Sequence, residues 1–195
     1  MINSDSLVIV PAFNEGENIK KVINELKKYF KNILVIDDGS EDNTALILEK
    51  LEVQIVHHLF NLGQGAAIET GLELFLKNKF YKYAITFDGD GQNKVIDAFN
   101  MVNLAREEGL DAVIGTRFAK KEHYHNIPIF KKLILRLAVI YESFFYSIKL
   151  TDAHNGLRVI SKKIAEKNIL PIKNHDMAHA TEISYKLFKS KCRIN

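Results

Sequence analysis

The residues best suited to chemistry are two aspartates, Asp88 and Asp90, which directly follow an apolar run and are separated by one glycine. Carboxylate oxygens are the ligands that Mg²⁺ and Mn²⁺ prefer, and both ions keep open positions for the phosphates of a substrate. The side-chain carbonyl oxygen of Gln92 is a possible third ligand nearby, and Gly89 and Gly91 allow a diphosphate to approach the backbone. An Asp- and Gly-rich turn with solvated side chains is the alternative interpretation.

The loops after the first two apolar runs carry polar groups that suit a nucleoside. Asn14 and Glu15 offer an amide and a carboxylate to the edge of a nucleobase, and Asp38 offers a carboxylate to a ribose hydroxyl or a base N–H. Loops in this position hold ligands over the edge of a sheet. Helix capping is the alternative for all three, because Asn and Asp cap helices and Glu is favoured in the first turn.

A glycine loop containing Gly63 and Gly65 leads from the third apolar run into a helix. The N-terminus of a helix can receive a phosphate. A dinucleotide-binding fingerprint needs a small residue three positions after the second glycine, and Ile68 occupies that position. Since a Walker A lysine pattern is also missing from the sequence, a nicotinamide enzyme and a P-loop ATPase are both disfavoured.

These loops separate runs rich in Val, Ile and Leu from segments with helical periodicity. Such alternation predicts an α/β fold, with a mostly parallel central sheet and helices on both faces. The predicted strands are residues 7–10, 33–36, 53–57, 83–87 and 112–114. The predicted helices are residues 18–30, 43–51, 65–77 and 95–108, with Gly109 as the C-terminal cap of the last. Ligands bind at the carboxyl ends of strands in such sheets, so we expect the loops to form one site.

Composition limits the remaining classes of protein. A chain of 195 residues with 47% hydrophobic and 26% charged residues is typical of one globular domain, here residues 1–195. A net charge of +3 is too small to indicate nucleic-acid binding. Cys192 is the only cysteine, so an internal disulfide is excluded, and the N-terminus lacks the pattern of a signal peptide. We therefore expect a cytoplasmic protein.

Residues 127–150 form a long apolar and aromatic stretch with interspersed charges. A membrane span needs about 20 predominantly apolar residues with few charges, and this stretch has too many. A helix lying on a bilayer surface and a helix packed into the core both remain compatible with the pattern. The charged residues of this stretch are Lys131, Lys132, Arg136, Glu142 and Lys149.

Five segments, taken in order, resemble the family 2 glycosyltransferases of the GT-A fold. They are residues 10–15, 37–40, 61–67, 88–92 and 115–117, and each follows a predicted strand. The resemblance covers nearly the whole chain. Residues 152–158 add a D-x-x-x-G-x-R segment that is similar to the dolichol-phosphate mannosyltransferase-like, or polyprenyl, branch of that family.

The resemblance implies a nucleoside-diphosphate sugar as donor. Pro11, Phe13 and Glu15 would border the base, and Asp38 would bind the base or the ribose. Asp88 and Asp90 would match the D-x-D motif and bind Mg²⁺ or Mn²⁺, with Asp90 as the expected direct ligand and Gln92 supporting it. A divalent ion neutralises the charge that develops on a departing diphosphate.

The resemblance also implies roles for residues nearer the C-terminus. Arg117 and Arg158 would make bidentate contacts with a phosphate of the donor or the acceptor, with surface ion pairing as the alternative. Transfer would invert the anomeric carbon. Glu182 is the candidate general base or acceptor-positioning residue, and Asp152 is the second candidate. A phosphate acceptor is already anionic and needs no base.

The sequence departs from the family pattern at two places near the expected diphosphate. Gln64 stands where a lysine is often found, and Asn93 and Lys94 replace a His-Pro or His-Asp pair. These changes leave the donor preference open. The chain also ends soon after the segment around Glu182, so we expect a minimal or truncated form of the catalytic domain.

Together these observations predict a metal-dependent inverting glycosyltransferase that uses a UDP- or GDP-sugar. The expected acceptor is a polyprenyl phosphate or a lipid-linked glycan, as in cell-surface polysaccharide or glycoconjugate synthesis. Residues 127–150 would provide peripheral contact with the inner face of the membrane. A non-catalytic nucleotide-sugar-binding subunit and a sugar-nucleotide nucleotidyltransferase are the alternatives, although residues 11–16 lack the basic glycine-rich loop that the latter needs.

Overall fold

The computed structural model describes residues 2–115, 156–176 and 178–195. Strands and helices alternate up to the fifth strand, as the sequence pattern predicts. The strands are β1 (Asn3–Ala12), β2 (Phe30–Asp37), β3 (Gln54–His57), β4 (Tyr83–Thr86), β5 (Ala112–Ile114) and β6 (Arg158–Ser161). The helices are α1 (Glu17–Leu26), α2 (Thr44–Leu48), α3 (Gln64–Lys77), α4 (Val95–Glu107), α5 (Lys162–Ile164), which continues as a π-helical turn over Ala165–Ile169, and α6 (His179–Lys189).

The six described strands form one sheet in the order β3-β2-β1-β4-β6-β5. The pairs β1–β2, β1–β4 and β2–β3 are parallel, whereas β6 runs antiparallel to both β4 and β5. The predicted mostly parallel α/β sheet is therefore confirmed, but β6 was not among the predicted strands. Because β6 is antiparallel, it begins beside the carboxyl end of β4, where Arg158 pairs with Thr86.

Helices cover both faces of the sheet, and β1 shows how the two cores are built. Its side chains alternate, so that Val8 and Val10 join one apolar cluster while Leu7 and Ile9 join the other. Helices α1, α2 and α4 pack on the first face, and α3, α5 and α6 pack on the second. All four of these β1 side chains are essentially inaccessible to solvent. The central strand of the sheet is thus packed on both faces, and its carboxyl end carries the loop that follows β1.

Two helix ends show where local signals succeed and where tertiary pairing overrides them. Gly109 takes φ +61° after α4, and the N–H groups of Gly109 and Leu110 donate to the carbonyls of Arg106 and Ala105, so the predicted cap is confirmed. Helix α1, by contrast, ends at Leu26 rather than at the predicted residue 30. Phe30 is buried as the first residue of β2, because pairing and core packing outweigh helical periodicity there.

Three predictions concern residues outside the described ranges. They are Arg117 as a phosphate ligand, Asp152 as the second candidate base, and the helix over residues 127–150. Within the described ranges, every helix is either too short or too polar to cross a bilayer.

Helix α3 approaches β1 so closely that a side chain at Gly71 would collide with the sheet. A Cβ atom built there would lie 2.3 Å from Cγ2 of Ile9. We predict that Gly71→Ala lowers the free energy of unfolding by about 1–2 kcal/mol, because overpacking outweighs the higher helix propensity of Ala. Denaturant unfolding measures this change, with exposed Glu73→Ala on the same helix as the control.

The close approach also predicts non-additivity. In an Ile9→Ala background, Gly71→Ala should cost little or stabilise, because its methyl group fills part of the new cavity. Equal effects of Gly71→Ala in both backgrounds would contradict the packing described here.

Candidate functional site

A cavity of about 600 Å³ opens at the carboxyl ends of the parallel strands. This volume lies within the usual range for small-molecule sites. The cavity brings together most of the residues that the sequence predicts for binding, namely Pro11, Phe13, Glu15, Asp38, Gly63, Asp88, Asp90 and Gln92. The expectation that the strand-end loops converge is therefore met for the loops after β1, β2, β3 and β4.

The loops after β1 and β2 are joined directly by hydrogen bonds. The side-chain oxygen of Asn14 accepts from the backbone N–H of Glu41 at 2.8 Å, and the N–H of Asn14 donates to Oγ of Ser40 at 3.0 Å. Asn14 itself adopts a positive φ of 55°. Asn14 therefore neither caps α1 nor lines the cavity, but holds the loop that presents Phe13 and Glu15.

Asp38 is 2% exposed and acts mainly as an anchor for the glycine loop. Its Oδ1 accepts from the N–H of Leu62 at 3.0 Å, and its Oδ2 accepts from the N–H of Gly63 at 2.8 Å. His58 adds a third contact, with Nδ1 2.6 Å from Oδ1. Asp38 lines the cavity, so its predicted contact with a base or ribose stays a prediction. Its observed partners fix the loop between β3 and α3.

Asp88 is held from three directions. Nε2 of Gln64, at the start of α3, donates to Oδ1 at 2.9 Å, and Nδ2 of Asn93, just before α4, donates to Oδ2 at 3.0 Å. Gly156, just before β6, packs against the same carboxylate, since a Cβ atom built there would lie 2.2 Å from Oδ1. The two positions at which the sequence departs from the family pattern, residues 64 and 93, thus meet on one carboxylate.

Two carboxyl groups of the cavity, those of Asp88 and Glu15, have pKa values raised by burial and by neighbouring negative charge. Burial, together with the charge of Asp90, raises the pKa of Asp88 above its ordinary value. Burial and the charges of Asp90, Asp42 and Asp88 likewise raise the pKa of Glu15. Asp90 is itself exposed, and among the described residues its Oδ1 accepts only the backbone N–H of Gln92, at 2.9 Å. The site therefore concentrates negative charge with Asp90 on its open side.

This charge distribution fits a divalent cation that shares its coordination with a ligand. Within the described ranges, no group of three His, Cys, Asp or Glu side chains is arranged to hold a metal ion unaided. Asp90 can offer carboxylate oxygens, whereas both oxygens of Asp88 already accept amide hydrogens. Phosphate oxygens of a bound substrate would complete the coordination sphere of Mg²⁺ or Mn²⁺.

The glycine loop is covered by a segment of chain that the sequence analysis did not assign to the site. The N–H of Gly65 donates to the carbonyl of His175 at 3.0 Å. A Cβ atom at Gly63 would lie 2.3 Å from that carbonyl oxygen, and one at Gly65 would lie 2.4 Å from the carbonyl oxygen of Asn174. The glycines are needed for this close approach, so the backbone N–H of Gly65, predicted to face a phosphate, is already satisfied.

Residues 173–176 and 178–180 contribute to the cavity through His175, Asp176, His179 and Ala180. Sequence reasoning left the histidines unassigned, because they lie about 110 residues after the glycine loop that they cover and belong to no motif. The one feature of this region that the sequence showed was an amphipathic helical pattern beginning near His179, and it drew attention to Glu182 rather than to the histidines.

Glu182 lies outside the cavity lining and fastens this segment. Its carboxylate accepts from the N–H groups of Lys173 and Asn174, at 3.0 and 2.8 Å, and from the side chains of Asn174 and Lys186, at 2.7 and 2.6 Å. The hydrogen bond from Lys186 and those from the backbone lower the pKa of Glu182 to about 2, although burial acts in the opposite direction. Such a carboxylate is a weak proton acceptor, and in this structure it holds the segment at residues 173 and 174 in place; its role as general base or acceptor-positioning residue stays a prediction.

Arg158 is fully buried and does not line the cavity. Its Nη2 donates to the carbonyl of Ala180 at 3.1 Å, and its charge lowers the pKa of Asp88 against the effect of burial. Its burial excludes the alternative of a surface ion pair. In this structure Arg158 acts on the site through Asp88, and its predicted direct contact with a phosphate stays a prediction.

We predict that Glu182→Gln lowers the free energy of unfolding at pH 7 by about 1–3 kcal/mol, because the new amide turns an N–H donor towards other N–H donors. The folded-state pKa of about 2 lies below the ordinary 4.5, so the stabilisation is complete above about pH 4.5 and is lost as the pH falls towards 2. The two proteins should therefore converge in stability in acid. Exposed Glu166→Gln is the control.

Denaturant unfolding from pH 7 to pH 3 makes this comparison. A Glu182→Gln variant with unchanged stability at every pH, but without catalytic turnover, would support the general-base role.

Comparison with known proteins gives a consistent classification. The sequence model of Glycosyl transferase family 2 matches residues 7–169. An uncharacterized protein of Methanocaldococcus jannaschii is 37% identical over 179 residues, covering 89% of this chain and 72% of the relative. The UDP-N-acetylglucosamine–dolichyl-phosphate N-acetylglucosaminyltransferase of Methanococcus voltae is 32% identical, covering 82% of this chain and 71% of the relative.

A polyprenol monophosphomannose synthase of Mycolicibacterium smegmatis is 27% identical, covering 83% of this chain and 63% of that protein. Among solved structures, glucosyl-3-phosphoglycerate synthase from Mycobacterium tuberculosis with Mn²⁺, UDP and glucosyl-3-phosphoglycerate superposes with a TM-score of 0.73 at 16% identity. This superposition covers 95% of the chain but 65% of the solved structure, and it shows the GT-A fold alone. The family match and the archaeal relatives together show that the chain belongs to glycosyltransferase family 2.

Proposed function

We propose that this glycosyltransferase moves a sugar from a UDP- or GDP-sugar to a polyprenyl phosphate, with inversion at the anomeric carbon and with the help of Mg²⁺ or Mn²⁺. The observation that carries the proposal is the position of Asp90. It is an exposed carboxylate on a strand-end cavity, and it lies near two other carboxylates whose pKa values are raised.

The two ends of the cavity suit the two parts of such a donor. Pro11 at the end of β1, Phe13 and Glu15 in the loop that follows, and Asp38 just after β2 line the end that would hold a nucleoside, with an aromatic face and carboxylates. Asp90 and Gln92 after β4 would hold a divalent ion against the diphosphate. When bound, this ion would act as a Lewis acid that stabilises the departing diphosphate.

The positions of Asp88 and Glu15 support a role for a cation. Each carboxylate has a raised pKa that results in part from its acidic neighbours. An arriving cation relieves this repulsion and favours the ionised forms. The protein would therefore bind a metal and an anionic diphosphate together more readily than the diphosphate alone.

The names of two relatives support a polyprenyl phosphate as the acceptor. One is a dolichyl-phosphate N-acetylglucosaminyltransferase and another a polyprenol monophosphomannose synthase. A phosphate acceptor is already anionic and needs no general base. This agrees with the site, because the candidate base Glu182 has a pKa of about 2 and its carboxylate already accepts hydrogen bonds from the segment around Asn174.

A lipid-linked acceptor requires the cavity to work at a membrane surface. We propose that the protein acts from the cytoplasm at the inner face of the membrane and that residues 127–150 provide the peripheral contact. Its product would serve the synthesis of cell-surface polysaccharides or glycoconjugates.

A transfer assay tests the proposal. The purified chain is incubated with polyprenyl phosphate in detergent micelles, Mn²⁺ and radiolabelled UDP-N-acetylglucosamine, UDP-glucose or GDP-mannose. We predict label in the lipid phase with one of these donors, and loss of that label with EDTA. Donor binding without transfer to any acceptor would favour a non-catalytic nucleotide-sugar-binding subunit, and formation of a nucleotide sugar from a nucleoside triphosphate would favour a nucleotidyltransferase.

The role of Asp90 gives a sharper prediction. Asp90→Asn should lower the transfer rate by about 100-fold or more, because it removes a carboxylate that holds the metal. Its thermal stability should be unchanged or higher, because Asp90 is exposed and its charge repels Glu15 and Asp88. Asp97→Asn, an exposed carboxylate in the first turn of α4, is the matched control and should keep full activity. Equal activity of Asp90→Asn and the control would contradict the assignment.

A further inference from the structure

His179, the first residue of α6, is one of the residues that line the cavity, although it is only 2% exposed. Its Nδ1 lies 2.6 Å from the backbone carbonyl oxygen of Asp176. A carbonyl oxygen only accepts hydrogen bonds, so Nδ1 carries the proton and donates it. The other ring nitrogen, Nε2, therefore presents a lone pair.

Nε2 of His179 is buried and has no hydrogen-bond partner within residues 2–115, 156–176 and 178–195. Protonation does not resolve this, because burial lowers the pKa of His179 and keeps the ring neutral near pH 7. A buried acceptor without a donor costs free energy, and a ligand that brings a donor recovers it. The neutral ring suits a hydroxyl group and does not suit a phosphate oxygen, which is itself an acceptor.

The order of the strands shows which part of the donor reaches this nitrogen. The loops after β2 and β1 form the proposed nucleoside end, the loop after β4 carries the diphosphate carboxylates, and β6 is the next strand. His179 lies on the β6 side, because its neighbour Ala180 accepts a hydrogen bond from Arg158 of β6 at 3.1 Å. The sugar follows the diphosphate in a nucleotide sugar, so it occupies this end of the cavity.

We propose that Nε2 of His179 accepts a hydrogen bond from a hydroxyl group of the donor's sugar, which makes His179 a specificity-determining residue. The proposal rests on the proposed function, since it needs a nucleotide sugar in the cavity. It explains why an unsatisfied acceptor is kept in an otherwise well-bonded segment.

Binding of UDP and of UDP-sugars separates this contact from all others. His179→Phe replaces the imidazole with a slightly larger planar ring and removes both the Nε2 acceptor and the Nδ1–H that donates to Asp176. We expect it to weaken binding of UDP-N-acetylglucosamine or UDP-glucose, measured by calorimetry with Mn²⁺, by about 3- to 10-fold, as for loss of a neutral hydrogen bond. Binding of UDP, which has no sugar beyond the diphosphate, should not change. GDP and GDP-mannose replace these ligands if the wild type prefers guanine.

Two further variants complete the experiment. His179→Gln can place an amide oxygen near the position of Nε2 and should recover part of the lost affinity. His57→Phe, outside the cavity, should bind every ligand as the wild type does. Deoxy analogues of the sugar then identify the hydroxyl, because the analogue that lacks it binds wild type and His179→Phe equally well.

Thermal unfolding without ligand provides an independent readout. If His179 serves ligand binding, the melting temperature of His179→Phe should change little, because removal of a buried unsatisfied acceptor offsets the loss of the Nδ1 hydrogen bond to Asp176. Equal weakening of UDP and UDP-sugar binding would overturn the proposal in favour of a structural or metal-binding role. Unchanged binding of both would overturn it as well. If the wild type binds neither a nucleotide nor a nucleotide sugar, the proposed function itself fails.

Discussion

The carboxylate of Asp88 is the contact on which the arrangement of the site depends. It accepts one hydrogen bond from Gln64 at the start of α3 and another from Asn93 just before α4, and it packs against Gly156 at the start of β6. One side chain at the end of β4 therefore sets the relative positions of three chain segments. Asp90 and Gln92 reach the cavity because the loop that carries them is anchored in this way.

This anchoring stores electrostatic strain at the site. Asp88 is held in a buried place near Asp90 and Glu15, and the pKa values of Asp88 and Glu15 are raised as a consequence. The amides of Gln64 and Asn93 satisfy the carboxylate oxygens without neutralising them. Where the family often has a lysine and a histidine, this chain has two neutral donors at residues 64 and 93, so neither adds a positive charge beside Asp88.

A second layer of the site comes from the segment that covers the glycine loop. Residues 173–176 are fastened by Glu182 and lie against Gly63 and Gly65 at distances that admit no side chain. The segment brings His175, Asp176 and His179 to the cavity, opposite the loops that follow the strands. The cavity is thus lined by two parts of the chain that are far apart in sequence.

Hydrophobic periodicity is a local signal, and it predicted the order of strands and helices up to β5. The placement of Gly and Asp is also local, and it predicted the loops at the strand ends. Strand β6 was missed, since four residues that follow a motif show no alternation, and their antiparallel pairing is a tertiary property. Gln64 and Asn93 were recognised as departures, but their meeting on Asp88 depends on the fold. The bonding of Glu182 could not be predicted either, because half of its partners are backbone N–H groups of a segment that only the fold brings to it.

The most direct test of the metal and donor site is a crystal structure of the protein grown with UDP and Mn²⁺, with anomalous diffraction to locate the manganese. We predict one anomalous peak beside the carboxylate of Asp90 and in contact with the diphosphate, with the uracil near Phe13 and the ribose near Asp38. A manganese peak away from Asp90, or UDP bound outside this cavity, would contradict the assignment of the site.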